Sequence, residues 1–80
     1  MFSYTVSKVA DKKAFLEVCN KIEQRFRVIK KEKPVVDVDG SQLQLFVVNN
    51  GKIKVYNDYA IDAVYVDSDI KLDEIIKAVI

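Results

Sequence analysis

From Val35 to Val66 apolar and polar residues alternate, and the alternation breaks only at Asp39-Gly40, Asn49-Asn50-Gly51 and Asn57-Asp58. Period two places successive side chains on opposite faces of a strand, and each break carries residues that accept the left-handed backbone of a tight hairpin. The pattern predicts a four-stranded antiparallel meander. Upstream, Phe2, Tyr4 and Val6 alternate with Ser3, Thr5 and Ser7, which predicts a first strand with one buried face. Between strand and meander, Phe15, Val18, Cys19, Ile22, Phe26 and Ile29 recur at spacings of three and four, one stripe of a helix, with Asp11 as its N-cap. On its exposed side Glu17 with Lys21 and Glu23 with Arg27 are spaced as acid-before-base pairs. Pro34 sets the latest end for this helix, although the run Arg25 to Lys30 could leave it earlier as an extended segment. Leu72, Asp73 and Glu74 open a short terminal helix through Ile75, Ile76 and Val79, with the acids at the positive end of its dipole. The expected fold is α+β: an antiparallel meander sheet in the order β-α-β-β-β-β-α, the first helix packed on one sheet face, in one small domain over residues 1–80.

The alternation also suggests registers. A two-residue loop at Asp39-Gly40 sets Val36 opposite Leu43. A three-residue loop at Asn49-Asn50-Gly51, with Gly51 at positive φ, sets Val47 opposite Ile53 and Leu45 opposite Val55. A three-residue loop at Asn57-Asp58-Tyr59 then sets Val55 opposite Ile61 and Lys54 opposite Asp62. On these registers one face carries Val36, Val38, Leu43, Leu45, Val47, Ile53, Val55, Ile61, Ala63 and Tyr65 and is expected to be the core face. The other carries Phe46, Val48, Tyr56, Ala60, Val64 and Val66 among polar neighbours, more apolar surface than a monomer leaves in water. The terminal helix, a second copy of the chain or another protein is expected to cover it. Phe46, Val48, Tyr56, Val64 and Val66 are therefore the candidate protein interface.

Composition narrows the chemistry. A chain of 80 residues has a small core, and outside help from a disulfide, a metal or a partner subunit is a common supplement at this size. The single cysteine, Cys19, cannot form an internal disulfide, and without histidine a metal site would rest on carboxylates and one thiolate. No cofactor is expected. Met1 to Thr5 shows no basic region followed by an apolar run, and the longest apolar stretch, Leu45 to Val48, is too short to cross a bilayer. A cytoplasmic protein without a membrane partner is the expectation.

Two segments suggest chemistry. Val35-Val36-Asp37-Val38-Asp39-Gly40-Ser41 resembles the first motif of haloacid-dehalogenase-type phosphatases, a strand ending in two aspartates one residue apart before glycine and a small hydroxyl residue. That resemblance implies Asp37 as nucleophile and Asp39 as acid/base, with magnesium between carboxylates and phosphate. The family also needs a parallel sheet and later lysine and acidic motifs, so the segment reads as an Asp-Gly hairpin. The acids Asp58, Asp62, Asp67, Asp69, Asp73 and Glu74 do not follow the spacing of a calcium loop and read as a solvated edge and helix cap. Cys19, in the helix stripe and with no histidine to activate it, reads as a small core residue. No enzymatic activity is expected.

Charge is lopsided. Residues 1–33 carry nine Lys/Arg against four Asp/Glu, a net of +5, and residues 34–80 carry four against eight, a net of −4. Lys21, Arg25, Arg27, Lys30, Lys31 and Lys33 crowd the end of the first helix and the connection after it and are candidate contacts for nucleic acid or another anion. Near-neutral overall charge argues against a dedicated nucleic-acid binder. The expected function is a small non-enzymatic protein-interaction module that self-associates through an apolar outer sheet face, with nucleic-acid binding through Lys21 to Lys33 as the alternative.

Overall fold

In the computed structural model, which describes residues 1–80, the expected order is realised around one antiparallel sheet, with one further two-residue strand directly after the first helix. Strand β1 (Phe2–Ser7) leads to helix α1 (Lys12–Arg25), followed by two short strands, β2 (Lys30–Lys31) and β3 (Val35–Val36). The long strands β4 (Gln42–Val48), β5 (Gly51–Asp58) and β6 (Ala63–Ser68) form the centre, and helix α2 (Asp73–Val79) closes the chain. Spatial order is β1-β6-β5-β4-β2, with β3 also on the β4 edge, so the first strand pairs with the last.

Helix α1 starts where expected. The Asp11 carboxylate accepts from the N–H groups of Lys13 and Ala14 at 2.9 and 3.4 Å, satisfying two donors that the helix itself cannot. It ends at Arg25, on the earlier of the two expected exits. Phe26 is extended, and the following backbone binds the edge of β4: Ile29 N–H donates to the Val47 carbonyl at 2.8 Å and Glu32 N–H to that of Leu45 at 3.1 Å. Those sheet bonds replace another helical turn. Phe26 and Val28 still pack on the core, whereas Ile29 faces solvent. Glu23 pairs with Lys31 at 3.0 Å rather than with Arg27, and no Glu17–Lys21 bridge forms.

All three hairpins depart from the expected registers. The first turns through Val38, Asp39 and Gly40 between Asp37 and Ser41, a three-residue loop with Gly40 at φ +88° that pairs Val35 with Leu43 and Val36 with Gln42. Asn49 and Asn50 alone make the second, which pairs Val48 with Gly51, Phe46 with Ile53 and Gln44 with Val55. Gly51 has positive φ, +152°, as expected. A Cβ there would lie 2.5 Å from the Asp69 Cβ, so glycine is required for space as well as for backbone angle. Tyr59 to Asp62 make the third, a four-residue loop with Asp62 at φ +56°, and Lys54 stands opposite Asp67 rather than Asp62.

These registers keep the expected faces of β5, with Ile53 and Val55 inside and Tyr56 outside, and reverse those of β4 and β6. Phe46, Val48, Ile53, Val55, Val64 and Val66 are buried beneath Phe15, Val18, Cys19 and Ile22 of α1 and beneath Leu72, Ile75 and Ile76 around α2. Both helices lie on this one side. The same face carries three buried polar residues, each of which holds a connection. Asn57 accepts from Asp11 N–H at 3.0 Å and donates to Gln42 at 3.2 Å, fixing the start of α1. Gln44 donates to the Glu32 carbonyl at 2.6 Å, fixing the connection beyond β2, and Ser68 accepts from Ile70 N–H at 3.0 Å before α2. No buried side-chain polar atom lacks a partner, which is how a polar residue survives on a core face. Val38 and Ile61, expected in the core, are exposed in loops.

Candidate interaction surface

The opposite side of the sheet has no helix. Its rows follow from the pairings: Leu43, Tyr56, Tyr65 and Thr5 lie side by side across β4, β5, β6 and β1, and Leu45, Lys54, Asp67 and Ser3 form the next row. Val47 and Lys52 follow toward one end, Asp58 and Ala63 toward the other. Leu43, Leu45, Val47, Tyr56 and Tyr65 are only partly buried, none belongs to the core cluster, and Val35 beside Leu43 is 60% exposed. The five form an L-shaped apolar surface along β4 and across the middle row. Outward-facing leucine and valine beside two tyrosines is a composition suited to a protein partner: the apolar bodies gain by leaving water, and the phenol groups retain a polar end.

The tyrosine pair gives this surface order. Tyr56 and Tyr65 stack with ring centroids 4.4 Å apart and planes 11° from parallel. Partial burial, followed by the nearby negative charge of Asp67, holds the Tyr56 phenol above its ordinary pKa. For Tyr65 burial again leads, with Asp58 as the first of several negative neighbours. Both phenols therefore remain protonated donors at neutral pH and beyond. Along β5, Lys52 and Lys54 lie toward one end and Asp58 at the other, while Asp67 and Asp69 stand beside the two lysines.

Of the five interface residues expected from the sequence, only Tyr56 lies on this face. Phe46, Val48, Val64 and Val66 are between 0 and 4% exposed in the core. The correction follows from the two-residue Asn49-Asn50 turn for β4 and from the four-residue loop Tyr59 to Asp62 for β6, since a register change by an odd number of residues exchanges the two faces of a strand. Leu43, Leu45, Val47 and Tyr65, assigned to the core by the alternation, take their place on the open side. A signal for this reversal was weak in the sequence, because both sides of Leu43 to Val48 are apolar and the inward-facing Gln44 looks like a solvent position.

The basic residues are distributed over several elements. Lys21 and Arg25 lie on α1, Arg27 and Lys33 in connections, and Lys30 and Lys31 on β2. Lys30 pairs with Glu32 at 3.2 Å and Lys31 with Glu23 at 3.0 Å. The Lys31 ammonium also lies 6.0 Å from the centroid of the Phe46 ring. The largest concavity, about 460 Å³ between the end of α1 and the start of α2, mixes Arg25, Lys71 and Lys77 with Asp73 and Glu74.

The remaining chemical candidates have structural occupations. The Asp37 carboxylate accepts from Val38 N–H at 2.7 Å and that of Asp39 from Ser41 N–H at 2.9 Å, holding the β3–β4 loop. The latter contact holds Asp39 below the ordinary carboxylate range. Burial pushes the Cys19 thiol up to about 12, far from a reactive thiolate at neutral pH. No three His, Cys, Asp or Glu side chains gather to hold a metal ion, and no helix is long and apolar enough to cross a membrane. No protein-family model, curated protein or solved structure matches the chain.

Proposed function

We propose that this chain is a small non-enzymatic protein-interaction module that docks a protein partner against the open face of its sheet. The observation that carries the reading is the asymmetry of the sheet: both helices cover one face, while Leu43, Leu45, Val47, Tyr56 and Tyr65 remain partly exposed on the other. A binding role suits side chains that offer no histidine, a buried thiol and aspartates committed to loop hydrogen bonds. The alternative of nucleic-acid binding through Lys21 to Lys33 has less support, because these cations are spread over α1, β2 and their connections and two are paired with glutamates. Site-specific photo-crosslinking in living cells tests the proposal. A photoreactive residue replacing Leu45 should give a discrete crosslinked product, whereas the same residue at exposed Gln24 on α1 should not. Equal labelling from the two positions, or none from Leu45, contradicts it.

A further inference from the structure

We infer that the partner is a second copy of this chain, seated face to face across a two-fold axis that crosses the strands between the Tyr56 and Lys54 rows; the inference rests on the docking role proposed above. An isologous interface must be complementary to itself, and the outer face of β5 is. It reads Lys52, Lys54, Tyr56, Asp58 in alternate positions, cations at one end and an anion at the other. The stated axis lays two copies of β5 antiparallel, placing Lys52 over the partner's Asp58 and Lys54 over the partner's Tyr56. By the same operation Leu43 lies over the partner's Leu45, and the Tyr65 hydroxyl faces the partner's Asp67.

Along β5 no like charges meet in this arrangement. An axis running along β5 instead would set Lys52 over the partner's Lys52, Lys54 over the partner's Lys54 and Asp58 over the partner's Asp58. Like charges in apposition disfavour that packing. Sheets stacked face to face cross at roughly 30°, which keeps β5 over β5 at the centre and shifts contacts on the flanking strands. Leu43 and Leu45 then supply apolar contact beside the charge pairs of β5.

Exchanging the two charges tests the arrangement through its symmetry. Lys52→Glu and Asp58→Lys should each weaken the dimer, on the order of tenfold in dissociation constant, because each places like charges together twice. Mixed one to one they should recover an affinity near that of the unaltered chain, since both contacts in the mixed pair are again opposite in sign. Sedimentation velocity on the folded proteins reads the exchange, with native mass spectrometry to identify the mixed species. Asp58 also accepts from Ala60 and Ile61 N–H at 2.9 and 3.3 Å. Should Asp58→Lys fail to fold, Asp58→Asn keeps that acceptor, and its mixture with Lys52→Glu should associate more tightly than Lys52→Glu alone. A mixture no tighter than its components overturns the arrangement. An unaltered chain that stays monomeric at roughly 100 µM, where a micromolar dimer would be well populated, overturns the second copy as partner. In that event a crosslink from Leu45 to a different protein leaves the docking role standing, and its absence removes both.

Discussion

Phe46 and Leu45 are neighbours in sequence with opposite fates, Phe46 fully buried against the helices and Leu45 partly exposed on the open face. Truncating Phe46 to alanine should cost about 3–5 kcal/mol, since its neighbours cannot close the resulting cavity, whereas Leu45→Ala should cost about 1 kcal/mol or less in the monomer. Urea unfolding at a concentration low enough to exclude association measures both, and equal losses would contradict the face assignment. At Gly51, alanine would meet the Asp69 side chain as well as an unfavourable φ, and a loss of about 1–2 kcal/mol or more is expected in the same assay. Tyr4 ties the first strand to the last helix. Its hydroxyl donates to Asp73 at 2.8 Å and accepts from Leu72 N–H at 2.8 Å. The bond from Tyr4 holds the Asp73 carboxyl below its ordinary pKa, so the associated stability is present above the ordinary carboxylate range and fades as pH falls through the lowered value. Burial raises the Tyr4 pKa, so its contribution is full at neutral pH and is lost as pH rises through the raised value. The stability difference between wild type and Tyr4→Phe should therefore shrink at both extremes, and a difference that grows toward acid pH would contradict the assignment.

At the scale of elements, the sequence marked every long strand and both helices but not which side of the sheet is inside. Alternation decides a face only when one set of positions is plainly polar. The inward set on β4 and β5 contains Gln44 and Asn57, and the outward set contains Leu43, Leu45 and Val47. Gln44 and Asn57 are tolerated inside because backbone of distant segments, Glu32 and Asp11, supplies their hydrogen bonds, and nothing local to the strand announces such partners. The hairpin loop lengths differ from expectation for a related reason. Asn, Asp and Gly clusters locate a turn, but its length depends on pairings that the rest of the sheet selects. Helix α1 was legible at its cap and along its stripe as far as Ile22, while its end was decided by competition from the β4 edge. If Asn57 anchors the beginning of α1, Asn57→Ala should cost roughly 1–3 kcal/mol by leaving Asp11 N–H and Gln42 without this partner. Amide exchange should then quicken in the first turn of α1 more than in α2. Uniform acceleration across both helices would mean that Asn57 serves only global stability.

For the whole molecule, the two-layer plan leaves half of a central sheet without a second layer. Thirteen hydrophobic residues form the core, a modest store for a domain of 80 residues. Covering the open face would bury further apolar surface, so association and stability should be linked: a chain that docks through Leu43, Leu45, Val47, Tyr56 and Tyr65 gains stability as its partner concentration rises. That both faces of the sheet carry apolar residues is readable from the alternation; which face the helices cover within the monomer depends on the registers. The most direct measurement is residue-resolved protection from a soluble paramagnetic agent by NMR, followed as the concentration of the pure protein is raised from low micromolar to millimolar. Leu43, Leu45 and Val47 methyls and the Tyr56 and Tyr65 rings should lose solvent relaxation together, while exposed Leu16 on α1 and Val38 in the β3–β4 loop remain accessible. Protection that develops instead on the helical side, or accessibility of the open face that is unchanged over the full range, would contradict the claim that this face is where the chain meets its partner copy.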